Sequence, residues 1–229
     1  MRRWFWRGVA IALILVGYLQ VGFFSAVLWW KYFNPANTAF MEEGLARLQE
    51  RNPDAELRHK WVPYQRISLN LKRAVVAAED SRFLDHEGFD WEGMQKAMEK
   101  NLKKGRIVAG GSTISQQLAK NLFLSASRNP LRKVQEAVIT VMIEQVWGKR
   151  RILEVYLNVI EWGNGIYGAE AASRRYFKTS AANLGPSQAA LMAAMIPNPR
   201  YYEIHRSGRG LSYRQGIIEA RMWQVSVPR

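Results

Sequence analysis

Two segments hold the residues best suited to chemistry: "LKRAVVAAED", ending in Glu79 and Asp80, and "LRKVQE", Leu131 to Glu136. Past Arg73 the first run is apolar around most of a helix circumference, so its end is expected to be buried. Burial and the negative helix C-terminus both disfavour an ionised Glu79. Both raise its pKa, which suits a general base or acid working near neutrality. A solvated acid at a helix end is the plain alternative. In the second segment Glu136 shares a side with Ile139 and Ile143, away from a principal apolar face of Val134, Val138, Val141 and Met142. An acid on a helix apolar nearly all round should line an interior cleft. Arg132 and Lys133 stand one turn before it, so a surface ion pair is the competing reading.

Lys120, Arg128, Arg132 and Lys133 form a basic series across the junction of two expected helices. Together with the glycine-rich stretch "KKGRIVAGGSTIS" and the helix N-terminus at Asn129, they can hold a phosphate. An unspecific charged face is the alternative. The stretch is no P-loop, because the G-x-x-x-x-G-K-[ST] spacing is missing. His59, His86 and His205 are far apart and in no metal-binding spacing, so no metal site is expected. With 0 cysteines, disulfides and thiol nucleophiles are excluded. No Ser-x-x-Lys occurs, which removes the penicillin-binding serine pattern.

Helices must position these groups. One is expected over Leu69–Glu79 with Ser68 as N-cap, and a short one over Met94–Leu102. Lys103–Ser115 reads as a mobile loop, followed by a helix over Gln116–Phe123. Asn129 and Pro130 are the clearest helix start in the chain. Further helices are expected over Arg151–Glu161, Ile166–Tyr176, Pro186–Met195 and Leu211–Val225, with "HKWVPYQRIS" an extended linker. A juxtamembrane helix carries Phe40, Met41, Leu45 and Leu48 near one face and ends at Asn52–Pro53. The soluble part is therefore mainly α.

Ahead of all this, Arg2, Arg3 and Arg7 precede an uncharged run from Gly8 to Trp30, bracketed by Trp4, Trp6, Trp29, Trp30 and Tyr32. About 20 apolar residues cross a bilayer as a helix. The run is too long, and Phe23, Phe24, Trp29 and Trp30 are too bulky, for a cleaved signal peptide. It reads as an uncleaved signal anchor with a cytoplasmic N-terminus. Hydrophobic residues make up 48% of the 229, enough for a core. Net charge is +14, an excess that suits nucleic acid, anionic headgroups or phosphorylated substrates. The anchor favours a membrane surface over nucleic acid.

"EDSRFLDHEG" (Glu79–Gly88), "GGSTISQQLAKN" (Gly110–Asn121), "RKVQE" (Arg132–Glu136) and "KRRILEVYLN" (Lys149–Asn158) resemble, in order and spacing, the motifs of glycosyltransferase family 51, the peptidoglycan glycosyltransferases. "WVPYQRIS" and "SQAALMAAMIPNPRYY" also fit, so the likeness covers about Trp61 to Tyr202. One mild departure is Ser115, where threonine is common. The short chain with one anchor looks like the monofunctional proteobacterial form, with no residues left for a transpeptidase domain. The resemblance implies a lysozyme-like, two-lobed helical fold behind one transmembrane helix, with the smaller, membrane-facing lobe near Lys103–Asn129.

It further implies that Glu79 is the catalytic base acting on the C4 hydroxyl of lipid II. Glu136 would be the second essential glutamate, helping to orient the diphosphate. Lys120, Arg128, Arg132 and Lys133 would contact that diphosphate, and Ser112, Gln116, Gln117 and Asn121 would line the donor site. Asp80, Phe83 and His86 would fix the turn around the base. The implied layout is a cytoplasmic 1–7, an anchor over 8–30, a juxtamembrane helix and linker over 31–60 and a periplasmic glycosyltransferase domain over 61–229 of an inner-membrane protein. No cofactor is required, although a divalent cation could assist the diphosphate. Expected partners are lipid II, undecaprenyl-diphosphate-linked glycan, the membrane and proteins of cell-wall synthesis or division. A lytic transglycosylase or muramidase on a similar scaffold, or a non-enzymatic membrane scaffold, is the competing reading.

Overall fold

The computed structural model describes residues 2–106, 110–127 and 129–229. The elements run α1 (Arg2–Tyr32), α2 (Ala39–Gln49), β1 (Arg58–His59), α3 (Leu69–Glu79), α4 (Trp91–Lys104), α5 (Ile114–Phe123), α6 (Pro130–Val146) and α7 (Lys149–Val159). They continue with β2 (Glu161–Gly163), β3 (Ile166–Tyr167), α8 (Ala169–Phe177), α9 (Pro186–Met195), α10 (Pro199–Ile204) and α11 (Arg209–Arg221). The chain is mainly α, with one long apolar N-terminal helix of membrane-spanning length and composition.

Local chemistry explains most boundaries. Ser68 accepts a hydrogen bond from the Leu71 amide and starts α3 where expected. Asn129 does the same for the Leu131 amide, with Pro130 at the first position of α6. Asp90 caps α4, and Gly105 ends it in the left-handed region at φ 60°. The α4 helix is longer than expected at both ends.

The stretch read as a loop over Lys103–Ser115 is shorter where it is described, because α4 runs on to Lys104 and α5 begins two residues early; residues 107–109 lie outside the described residues. Thr113 and Gln116 form a capping box that starts α5 at Ile114. Ile114, Leu118 and Ala119 are then fully buried, which makes α5 part of the core. The expected helix over Ile166–Tyr176 begins instead as strand β3. Gly168, at φ 80°, breaks the chain before α8. The linker around His59 supplies β1, so the small sheet has the order β1-β3-β2, with Arg58 beside Ile166 in parallel and Glu161 beside Tyr167 in antiparallel register.

The core gathers Trp162, Tyr156, Tyr167 and Phe83, the largest fully buried side chains. The segment 31–60 joins this body rather than standing apart. Within it α2 packs on α5 and β1 pairs with β3. The Tyr167 hydroxyl donates to the Phe40 carbonyl at 2.9 Å, tying α2 to the sheet.

The face of α6 that carries Glu136 is the one buried in the domain, together with Ile139, Thr140 and Ile143. Of the face that looked principal in the sequence, Val134, Val138 and Val141 are exposed, with Leu131 also outside, whereas Met142 packs against the core. Such a stripe is costly in water and satisfied by lipid or another apolar surface. Trp91, Met98 and Leu102 of α4 add further exposed apolar side chains.

Candidate active site

Glu79 closes α3, and its side chain is 12% exposed. Burial pushes its carboxyl above the usual carboxylate range. The Gln117 hydrogen bond, Arg214 and Lys120 oppose the rise, and neighbouring Asp80 adds to it. Oε2 accepts from Gln117 Nε2 at 2.9 Å, and Oε1 faces an Arg214 guanidinium nitrogen at 3.3 Å. Gln117 is itself held, because the Tyr156 hydroxyl donates to its Oε1 at 2.8 Å. Tyr156 is fully buried, and burial drives its phenol well above its ordinary pKa, so it stays a neutral donor. This fixes the Gln117 amide with its N–H toward Glu79.

Asp80 turns the other way and builds the frame. Its Oδ2 accepts the Ile114 amide at 3.0 Å, placing a carboxylate at the N-terminus of α5. His86 Nε2 lies 2.9 Å from Asp80 Oδ1, and the Gly88 amide approaches His86 Nδ1 at 3.2 Å. A ring that accepts at Nδ1 must carry its proton on Nε2, so His86 donates to Asp80 as a neutral imidazole. The Thr113 hydroxyl then donates to the Gly88 carbonyl at 2.6 Å and closes the turn onto α5. Phe83 is fully buried under the Lys149 ammonium, 4.7 Å from its ring centroid. Lys149 pairs with Glu144 at 2.8 Å, and the Ser115 hydroxyl also bonds Glu144. Among the described residues no three His, Asp or Glu side chains cluster as a metal site would.

On α6, Glu136 is 3% exposed and bonded by both Arg132, at 2.8 Å, and Lys133. A buried carboxylate held by two cations is not a surface ion pair. Lys120 feels both glutamates. Burial lowers its ammonium pKa, Glu136 and Glu79 oppose this, and Arg132 and Lys133 reinforce it. Both acids named from sequence thus lie within electrostatic reach of Lys120. Arg128 lies outside the described residues.

The polar residues divide. Ser112 is exposed and lines two adjoining spaces, a pocket of about 160 Å³ over Glu79 and an apolar groove of about 960 Å³ along α4. Met94 and Gly111 also line both, so the groove borders the pocket that holds the carboxylate. Lys133 and Gln116 reach the groove wall. The Gln116 Oε1 is committed to the Thr113 amide at 3.0 Å. Asn121 Nδ2 donates to the Gln117 carbonyl at 2.7 Å, within its own helix. Sequence reasoning missed Tyr156 and Arg214, both in direct contact with this network. A tyrosine on the buried side of α7 needed a hydrogen-bond partner, which was a readable signal; Arg214 gave none.

Comparison with known proteins bears on the family of the whole chain. The family described as Transglycosylase matches residues 45–223. A biosynthetic peptidoglycan transglycosylase of Thiobacillus denitrificans is 67% identical over 227 residues, covering 99% of this chain and 98% of that protein. Proteins of the same description from Methylobacillus flagellatus and Laribacter hongkongensis are 62% and 61% identical, each over 100% of both chains. The chain is similar to these along nearly its whole length and matches the family model over most of it: the protein belongs to the biosynthetic peptidoglycan transglycosylase family.

Proposed function

We infer that the protein is a biosynthetic peptidoglycan glycosyltransferase that polymerises lipid II into glycan strands with inversion and release of undecaprenyl diphosphate. We propose that Glu79 is its general base. In the reaction the acceptor C4 oxygen loses its proton to Glu79 and forms a bond to C1 of the donor sugar. The C1–oxygen bond to the diphosphate breaks, and its electron pair leaves with the diphosphate. Such a leaving group departs well only when its charge is met. Lys120, Arg128, Arg132 and Lys133 are the proposed partners of that charge, with Glu136 ordering the cations. Ser112 and Gln117 are the proposed polar contacts at the cleft, and Gln116 and Asn121 act there by ordering α5.

The observation that carries this reading is the Glu79 carboxylate, raised in pKa by burial yet lining a pocket that adjoins an apolar groove. Incubation with lipid II tests it. Long, uncleaved glycan is expected, and breakdown of preformed glycan without polymerisation would overturn it. Titrating a chelator in the same assay reads whether a divalent cation assists the diphosphate.

The proposed topology is a cytoplasmic 1–7, an anchor over 8–30, a juxtamembrane segment 31–60 and a periplasmic catalytic domain over 61–229. Arg2, Arg3 and Arg7 support it through the positive-inside bias. Proteins of cell-wall synthesis or division are the proposed protein partners.

A further inference from the structure

The anchor carries one amide side chain, Gln20, inside its uncharged stretch from Gly8 to Trp30. A polar group on a membrane-spanning helix is retained only where something satisfies it. Here the satisfaction is reciprocal: Gln20 Nε2 donates to Gln135 Oε1 at 2.8 Å, and Gln135 Nε2 donates back to Gln20 Oε1 at 3.0 Å. Gln135 immediately precedes Glu136 on α6.

The pair is the deepest of several grips between α1 and the domain. Phe23, Val27 and Trp30 continue the Gln20 stripe at helical spacing, and Val27 is fully buried. Phe123 meets both Phe23, at 5.5 Å between ring centroids, and Trp30, at 5.0 Å. Trp147 Nε1 donates to the Val27 carbonyl at 2.8 Å, so the two helices run in the same direction along their contact. Arg151 donates to the carbonyls of Trp30 and Phe33, each at 2.8 Å, which satisfies acceptors at the open end of α1. Apolar contacts between helices in lipid tolerate sliding, whereas a two-way amide pair has one register. It also sits beside the most consequential residue of α6.

We propose that Gln20 is a positioning residue for polymerisation. Through Gln135 it fixes the depth and rotation of α6, and therefore of Glu136, Arg132 and Lys133, relative to the bilayer that holds the substrate's lipid. This rests on the role proposed above for Glu136. An anchor that only concentrates enzyme on the membrane would act on substrate encounter; one that sets α6 acts on the bound complex.

The test uses the full chain in vesicles of phosphatidylethanolamine and phosphatidylglycerol with lipid II as substrate. Gln20→Leu and Gln135→Leu are each expected to lower kcat by about three- to tenfold, the range an interhelical hydrogen bond in lipid supports, with KM nearly unchanged. The double variant should be no slower than the slower single, and Gln20→Asn, which keeps an amide, should lose less. Unfolding midpoints should match the unsubstituted chain. Unchanged kcat in Gln20→Leu, multiplying single effects, or losses that follow a lowered midpoint would each overturn the proposal. Glu136→Gln, run alongside, separates the two claims. If it stays active the site reading fails, and if it alone is inactive only the positioning role fails.

Discussion

The proposed base, Glu79, sits in a place that disfavours its charge, and this has two measurable consequences. The acid limb of kcat/KM against pH should lie above the ordinary carboxylate range, since burial raises this pKa. Arg214→Ala removes a cation that lowers it, so the limb should move to still higher pH. A limb that stays put or moves down would remove Arg214 from the account. Stability follows the same sign. A carboxyl whose folded pKa is raised favours folding at low pH, and that contribution is lost as pH rises through the raised value. Glu79→Gln should therefore abolish polymerisation, by about 10²–10⁴-fold or more for loss of a general base, while unfolding no earlier than the unsubstituted protein at neutral pH. Calorimetry beside the lipid II assay checks both halves. The two glutamates were legible because an acid interrupting an apolar helix is a local signal. Tyr156 signalled only that it needed a partner, and Arg214 signalled nothing, because their contacts to Gln117 and Glu79 join residues remote in sequence.

Among the elements, α3 and α6 were readable because their caps and apolar runs lie within a few residues of each other. The strands were not, since β1 and β3 are each two residues long and exist only by pairing Arg58 with Ile166 across the chain. The α5 start was available as Thr113 followed three residues later by Gln116, a capping-box pattern, yet the nearby glycines dominated the reading. Asp80 is what joins α5 to the turn after α3. Asp80→Ala should leave the Ile114 amide and His86 without their acceptor. The expected loss is about 1–3 kcal/mol for each buried group so orphaned, read as a lowered denaturation midpoint. Asp80→Asn keeps one acceptor and should cost less. At Gly168 an added Cβ would meet the Asn158 carbonyl oxygen at 2.7 Å, and the backbone there is left-handed. Gly168→Ala should therefore destabilise by about 2 kcal/mol or more, with β3 and α8 losing hydrogen-exchange protection first.

The whole molecule is a helical body gripping its own membrane helix, with exposed apolar side chains on α4 and α6. Its 0 cysteines make orientation simple to measure. A single cysteine at exposed Ser226 should react with a membrane-impermeant maleimide in spheroplasts, and one at Arg3 should react only after lysis. The reverse pattern would invert the proposed topology. Anchor and helical class were legible at this scale, because composition and length alone define a span. The docking of α1 was not, since Gln20, Val27 and Trp30 meet partners more than a hundred residues away.

That grip also changes what the stretch between α1 and α2 can do. A leash works through its last residues, but here the holds on the chain begin at Gln20 and continue to Asn34, whose side-chain oxygen accepts from Arg151 at 2.9 Å, and to buried Pro35. The few residues left before Thr38 close a short gap between two parts already seated. A spacer inserted there would give the catalytic body no longer reach from the bilayer, and the cleft would still open at the same height and in the same direction. The anchor and the catalytic body should then diffuse in the membrane as one unit.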